Sequence, residues 1–222
     1  TPLYSSAASD VYKRQKQNTA ELRKNFEKRL IEFLKKELSH LSGTKFTRNR
    51  INITRKESGA VANIHFEYLT NTRSYEAIIL VEQPVLQAAI AQMAPPYPSN
   101  LANASFVYSM STTSEKDACI DLPTTEQGIE NACERMLALL NGTYLPIVLN
   151  ALEAGPAMVD DILARPKYYS HPVPLIFTVL KINGIQASEE SLARILSEQT
   201  LGYTNHHELK NAFHQPLAST SG

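Results

Sequence analysis

The hydrophobic pattern of this chain changes from a helical period to a period of two within its first 83 residues, and this change constrains the fold most. Apolar residues recur mostly three or four positions apart between Leu22 and Leu41, which predicts an amphipathic helix over residues 19–41. Asn18 followed by Glu21 is typical of a helix start. From residue 45 to 83 apolar and polar residues alternate, with turn residues around 57–59 and 71–74. We therefore expect a three-stranded antiparallel meander, with residues 104–110 as a candidate fourth strand.

The pattern becomes helical again beyond residue 124. Capping residues, prolines and glycines divide residues 124–199 into short helices, from a capping box at Thr124 and Gln127 to a helix capped by Ser188. The predicted fold class is α+β: a long N-terminal amphipathic helix packed on a three- to four-stranded antiparallel sheet, followed by an all-helical C-terminal half. We expect a single α+β body over residues 16–199, with helix and sheet in 16–110 and short helices in 124–199. Residues 200–222 are expected to fray.

The first fifteen residues have an unusual composition for a protein start. The string from Ser5 to Gln15 reads SSAASDVYKRQ and looks like the conceptual translation of a transposase adapter used in sequencing libraries. We therefore expect residues 1–15 to be a non-native, disordered segment and exclude them from the fold. On this interpretation the reading frame comes from a metagenomic or similar assembly, and a signal peptide could have been lost with the native start.

The formal net charge is zero, but the charges are unevenly distributed. Residues 16–56 hold twelve Lys and Arg against four Asp and Glu, whereas residues 57–222 hold eight against seventeen. Arg48, Arg50 and Lys56 belong to a basic cluster at the first predicted strand and its turn. This cluster predicts a surface that binds an anion, a nucleic acid or an acidic partner. One alternative is an edge strand that is protected by charge. The other is that the basic front, residues 16–56, neutralises the acidic back, residues 57–222, within the same fold.

Known catalytic and cofactor motifs are missing from the sequence. The eight glycines form neither a phosphate-binding loop nor a nucleophile elbow, and Cys119 and Cys133 lie fourteen residues apart without a second pair. We therefore predict no catalytic residue, no metal and no cofactor. No apolar run approaches 18 residues, so we expect no membrane contact, and the two cysteines favour a cytoplasmic location.

Two groups of residues are candidates for binding. His65 and Glu67 alternate on the polar face of the second predicted strand, across from Arg48 or Arg50, where they could bind an anion or act as acid and base. A surface pair across two strands explains them equally well. The other group is a turn before a proline, which could line a pocket or an interface or simply pack between helices. It comprises Tyr168, Tyr169 and His171.

Three functions remain open on this evidence. The order of elements loosely resembles that of small bacterial α+β modules, including immunity-type proteins that bind a partner toxin, although no motif carries the resemblance. The leading hypothesis is a non-enzymatic binding module that uses the basic sheet face or the Tyr168–His171 turn, with a protein as its partner. The second is an enzyme that acts on an anionic small molecule through the His/Glu/Arg cluster. Nucleic-acid binding through the basic N-terminal region is third, because aromatic residues are sparse on that polar face.

Overall fold

The long N-terminal helix is present and starts earlier than its hydrophobic stripe predicts. The structure, a computed structural model, describes residues 4–115, 118–201 and 206–219, with side chains for 18–115, 118–200 and 206–218. Helix α1 spans Tyr4–Glu37, so Asn18 lies within it instead of capping it. The assignment of residues 1–15 to an adapter concerns their origin and stays a prediction. The buried stripe of the helix, spaced four residues apart, is Phe26, Leu30, Leu34 and, just beyond its end, Leu38.

The predicted meander forms, but its first part is a hairpin. Strands β1 (Thr44–Thr47) and β2 (Arg50–Thr54) pair antiparallel across a two-residue turn, where we predicted one strand. A tight turn between two short strands keeps the alternation of apolar residues, so the sequence pattern does not reveal it. Strands β3 (Val61–Leu69) and β4 (Ser74–Glu82) continue the meander as expected.

Two short strands complete the sheet along the outer edge of β4. Strand β5 (Tyr108–Ser111) pairs with the second half of β4, and β6 (Ile120–Asp121) pairs with its start. Between them the Ala77 amide donates to the Thr112 hydroxyl oxygen at 3.0 Å, which continues the hydrogen bonding of the edge. The sheet order is therefore β1-β2-β3-β4-β5, with β6 beside β4, so the sheet is larger than the three to four strands predicted.

The two faces of the sheet differ in polarity. One face is buried under α1 and the C-terminal helices, with the Phe26 ring at 5.0 Å from that of Tyr75. The opposite face carries Arg50, His65 and Glu67 among other polar groups, which are half-buried or exposed. The apolar residues of the covered face are Ile51, Ile53, Ala62, Ile64, Phe66, Ala77, Ile79, Val81 and Met110.

Short helices make up most of the remaining chain, as predicted. Proline at the first turn and a left-handed residue or asparagine at the end delimit several of them. The predicted capping box at Thr124 differs by one residue from the structure, in which the Thr125 hydroxyl caps the helix by accepting from the Gly128 amide. The helices are α2 (Pro84–Met93), α3 (Glu126–Leu139), α4 (Leu145–Glu153), α5 (Ala157–Ala164), α6 (Pro172–Ile182), α7 (Glu189–Ile195), α8 (Glu198–Leu201) and α9 (His207–Ser219).

Helix α3 does not end at residues 141–142 as expected. A π-helical turn at residues 140–144 joins it to α4, so that Glu126–Glu153 forms one helical stretch. Within the described residues this is the one helix long and apolar enough to cross a membrane, by length and composition alone. Met136 and Val148 of this stretch belong to the buried core, as they would in the core helix of a soluble protein.

One cluster of buried apolar side chains connects α1, the sheet and the C-terminal helices. Two ion pairs join the basic front to the acidic back: Arg29 with Glu126 at 3.6 Å and Arg55 with Glu153 at 2.5 Å. These pairs show that part of the uneven charge distribution is compensated within the fold.

Candidate functional site

The main candidate site is a cleft of about 760 Å³ between the proline-rich loop after α2, the turn that follows α5, and helices α8 and α9. We call it the α9 cleft. Its size is within the range of small-molecule sites, about 300–1,000 Å³. Tyr168, from the turn singled out in the sequence, lines it. Lys210 of α9, which lies in the segment expected to fray, lines it from the other side.

The backbone of the turn after α5 explains why Tyr168 faces the cleft. Pro166 starts a short 3-10 turn that ends at Tyr168, and Tyr169 then adopts an extended conformation and forms a β-bridge with Tyr108. The change from a 3-10 turn to an extended residue lets both rings contact Tyr108, that of Tyr168 at 6.4 Å between centroids. Tyr169 is fully buried beside Tyr108, at 4.9 Å between ring centroids, whereas Tyr168 reaches the cleft wall.

Charged groups of both signs surround the entrance of the cleft. The Glu115 carboxylate accepts a hydrogen bond from the Tyr144 hydroxyl at 3.0 Å and lies 3.9 Å from the Arg165 guanidinium. The Lys167 ammonium lies 4.7 Å from the centre of the Tyr168 ring, a cation–π arrangement. Because Glu115 is already paired, the other positive charges of the cleft are not neutralised by it.

Lys210 is the most unusual residue of the cleft. Its side chain is 7% exposed, and among the described residues no carboxylate or hydrogen-bond acceptor contacts its ammonium group. The nearest aromatic group is Tyr97, whose ring centre lies 5.5 Å from Nζ. Burial lowers the pKa of Lys210 because the charged form loses hydration. A buried lysine without a counter-charge costs stability, so its place at a cleft indicates a use for it.

A cluster of aromatic and imidazole groups packs behind Lys210. The Tyr97 hydroxyl and His214 Nε2 share a hydrogen bond at 2.5 Å, and the His171 ring lies 5.6 Å from that of Tyr97. The Nδ1 atoms of His171 and His214 are buried and have no hydrogen-bond partner in the described part of the chain. Burial, with Lys210 and His171 nearby, lowers the pKa of His214 to about 4, and burial also lowers that of His171. Both imidazoles are therefore neutral at pH 7.

Helix α9 lies within residues 200–222, the segment that we expect to fray, and it packs one side against the rest of the fold. Lys210, His214 and Ala218 recur four residues apart and are buried, with Phe213 and Leu217 partly buried on the same side. This stripe is the signal in the sequence that could have identified α9 as a packed helix. It was overlooked because lysine and histidine occupy two of the three buried positions.

The predicted basic cluster does not form one site. Arg48 lies in the β1–β2 turn, and its guanidinium pairs with the buried Glu27 carboxylate at 3.1 Å. Lys56 is exposed in the next turn, beside a smaller pocket. Arg50 is directly opposite His65 on neighbouring strands, which is one of the two pairings that the alternation allowed.

His65 and Glu67 lie on the polar face of β3, as the alternation predicted. His65 Nε2 lies 2.6 Å from the Asn49 amide nitrogen, and burial together with Arg50 lowers the pKa of the imidazole. Glu67 is exposed and is directly opposite Glu76 of β4. None of these side chains lines the α9 cleft. The structure thus separates the polar sheet residues from the Tyr168–His171 turn. It brings that turn near Tyr97 and Lys210, which the sequence does not single out.

Among the described residues no three His, Cys, Asp or Glu side chains converge in a way that would hold a metal ion. Comparison with protein-family models, with curated proteins and with solved structures finds no match to this chain.

Proposed function

We propose that this protein is a non-enzymatic binding module that binds an anionic group, a carboxylate or a phosphate, in the α9 cleft. The observation that carries the proposal is Lys210, a buried lysine at the cleft wall without a counter-charge among the described residues. An anionic ligand would supply that counter-charge. Because a desolvated ion pair is stronger than an exposed one, the ligand would gain more from Lys210 than from a surface lysine.

The remaining groups of the cleft support the same ligand class. Among the described residues, the cleft is lined by three basic side chains, Arg165, Lys167 and Lys210, and by the single carboxylate of Glu115. Lysine binds phosphate and carboxylate as a point charge, and arginine binds them through paired N–H donors. The Tyr168 ring adds an apolar wall that suits the carbon skeleton of a small organic anion.

The test is a calorimetric titration of the full chain with inorganic phosphate, with citrate and with a hexaglutamate peptide. We expect phosphate or citrate to bind, and we expect Lys210→Met to weaken binding at least tenfold. The matched control is Lys24→Met, because Lys24 is an exposed lysine of α1. Stronger binding of the peptide would identify the acidic surface of a partner protein as the source of the anion. Equal affinities of the wild type and Lys210→Met would refute the proposal.

The other hypotheses stay predictions with less support. The side chains assigned to the enzyme hypothesis, Arg50, His65 and Glu67, lie on a sheet face outside the cleft, where water competes for them. Three arginines of the basic front, Arg29, Arg48 and Arg55, pair with glutamates of this chain and are less available to nucleic acid. No specific contact favours the immunity-type partner.

A cytoplasmic location is part of the proposal. Cys119 and Cys133 are both free, and a reducing compartment keeps thiols in that state. Burial raises the pKa of Cys133 to about 11 and also raises that of Cys119, so neither thiol is activated as a nucleophile.

A further inference from the structure

We propose that Lys210 is also a nucleophile, which forms an imine with an aldehyde or ketone that carries an anionic group. The inference rests on the proposed anion binding and makes it more specific, since it names the class of ligand as an anionic carbonyl compound. The ligand would place its carbonyl carbon at the Lys210 amine and its anionic group toward Arg165 or Lys167 at the cleft entrance.

The surroundings of Lys210 make a neutral amine more accessible to it than to an exposed lysine. The groups that face it from inside the fold are Tyr97, His171 and His214, which carry no negative charge at pH 7. Arg165 and Lys167 line the same cleft, and Glu115, the carboxylate among its described lining residues, is held by Tyr144 and Arg165. Burial lowers the pKa of Lys210, and desolvation is one of the means by which proteins activate lysine amines.

The chemistry balances without an oxidant or a reductant. The lone pair of the neutral Lys210 amine attacks the carbonyl carbon, the π electrons move to oxygen, and a proton passes from nitrogen to that oxygen. The resulting carbinolamine takes up a second proton on its hydroxyl group and loses water, which leaves a positively charged iminium group. The iminium group carries the same positive charge as the ammonium form of Lys210, and the anionic group of the ligand stays with Arg165 or Lys167.

Solvent water that enters the cleft can carry the two protons, because the nearby imidazoles are poorly placed for this role. The Nδ1 atom of His171 is buried away from the cleft lining, and burial lowers the pKa of that ring. His214 Nε2 is engaged with the Tyr97 hydroxyl, and the pKa of His214 is lowered to about 4.

The test traps the imine in the full chain with glyoxylate and sodium cyanoborohydride at pH 7, followed by peptide mass mapping. Reduction converts the imine into a stable carboxymethyl group on the lysine. We expect Lys210 to be modified at least tenfold faster than the exposed Lys24, although exposure alone predicts the reverse order. Propanal, an aldehyde without an anionic group, should show no such preference. Lys210→Arg keeps a basic side chain but removes the nucleophilic amine, so this variant should show no rapidly modified peptide at position 210.

A control in the wild-type protein keeps the test independent of how well the variant folds. Glycolate has the carboxylate of glyoxylate but no aldehyde group, so it cannot form an imine. It should lower the rate at which glyoxylate modifies Lys210 and leave the rate at Lys24 unchanged. Trapping of Lys210 no faster than of Lys24 would overturn the imine proposal. If glycolate binds in that case, anion binding stands and only the imine is wrong. If glycolate does not bind either, the proposed function fails as well.

Discussion

Replacement of Lys210 by methionine should stabilise the free protein while it weakens anion binding at least tenfold. Methionine has nearly the length of lysine and no charge, so it fills the same space between Tyr97 and the cleft without an ammonium group to desolvate. A residue retained for folding would show the opposite effect, because its loss would destabilise the chain. Opposite signs for stability and for binding are therefore the signature of a residue that is kept for function.

The magnitude follows from the burial of Lys210 and from its missing counter-charge. The side chain is 7% exposed, and the described residues provide no ion pair for it. Burial of a polar group without a partner costs about 1–3 kcal/mol in proteins, and contact of Nζ with the cleft places this residue in the lower half of that range. We expect Lys210→Met to raise the free energy of unfolding by about 1–2 kcal/mol, which corresponds to a rise in Tm of about 2–8 °C for a chain of this size.

The assay is thermal unfolding of both proteins with and without phosphate or citrate. The ligand at a hundred times its wild-type Kd should stabilise the wild type by about 2.7 kcal/mol and the variant by at most about 1.4 kcal/mol, so the ligand should narrow or reverse the difference in Tm between the two proteins. Lys24→Met serves as the control, and its Tm should stay within the small range of exposed substitutions. A lower Tm for Lys210→Met than for the wild type in the absence of ligand would refute the reasoning.

Three further predictions concern the scaffold and its pH dependence. Glu27→Ala removes the acceptor of the buried Tyr75 hydroxyl and should lower the free energy of unfolding, measured in urea, by about 2–4 kcal/mol. An unchanged urea midpoint would show that the Glu27 carboxylate does not stabilise the fold. Burial lowers the pKa of His214 to about 4 from an ordinary 6.5, so the unfolded chain takes up the proton first, and stability should fall as the pH decreases from 6.5 toward 4. Amide exchange of α9 at pH 7 and pH 5, corrected for the intrinsic pH dependence of exchange, measures this, and His214→Phe should reduce the dependence; His171 and His65, whose pKa values burial also lowers, account for the rest. A Cβ atom at Gly43 would lie 2.2 Å from a backbone oxygen of β2, so Gly43→Ala should cost more than about 1 kcal/mol, whereas Gly142→Ala, in open space, should not destabilise.

The elements that the sequence predicted well are those with a strong local period. The helix stripe from Phe26 to Leu38 and the alternation along β3 and β4 each arise because one side of an element must face the core. The Ser188 cap is equally local, since its hydroxyl bonds the amide three residues ahead. The β1–β2 turn and the short strand β6 escaped prediction, because two-residue turns and two-residue strands leave too little pattern to read.

The candidate site could be predicted only in part. Tyr168 and His171 belong to an unusual local string, but nothing in the sequence places Lys210 near them. Residues Tyr97, Tyr168 and Lys210 are more than 40 positions apart along the chain. Lys210 lies beside the Tyr97 ring and lines the same cleft as Tyr168 because α9 packs against α6. The hydropathy of the last twenty residues predicts a tail, because lysine and histidine at buried positions are counted as polar.

The sequence by itself determined the α+β class, the order of the main elements and the uneven charge distribution, since periodicity and charge are properties of neighbouring residues. The tertiary structure decided which charges are neutralised, as with Arg48 on Glu27, and which have no carboxylate partner among the described residues, as with Lys210. The physical reason is that the cost of a charge depends on its burial and on its partners. Both are set by segments that are distant in the sequence and adjacent only after folding.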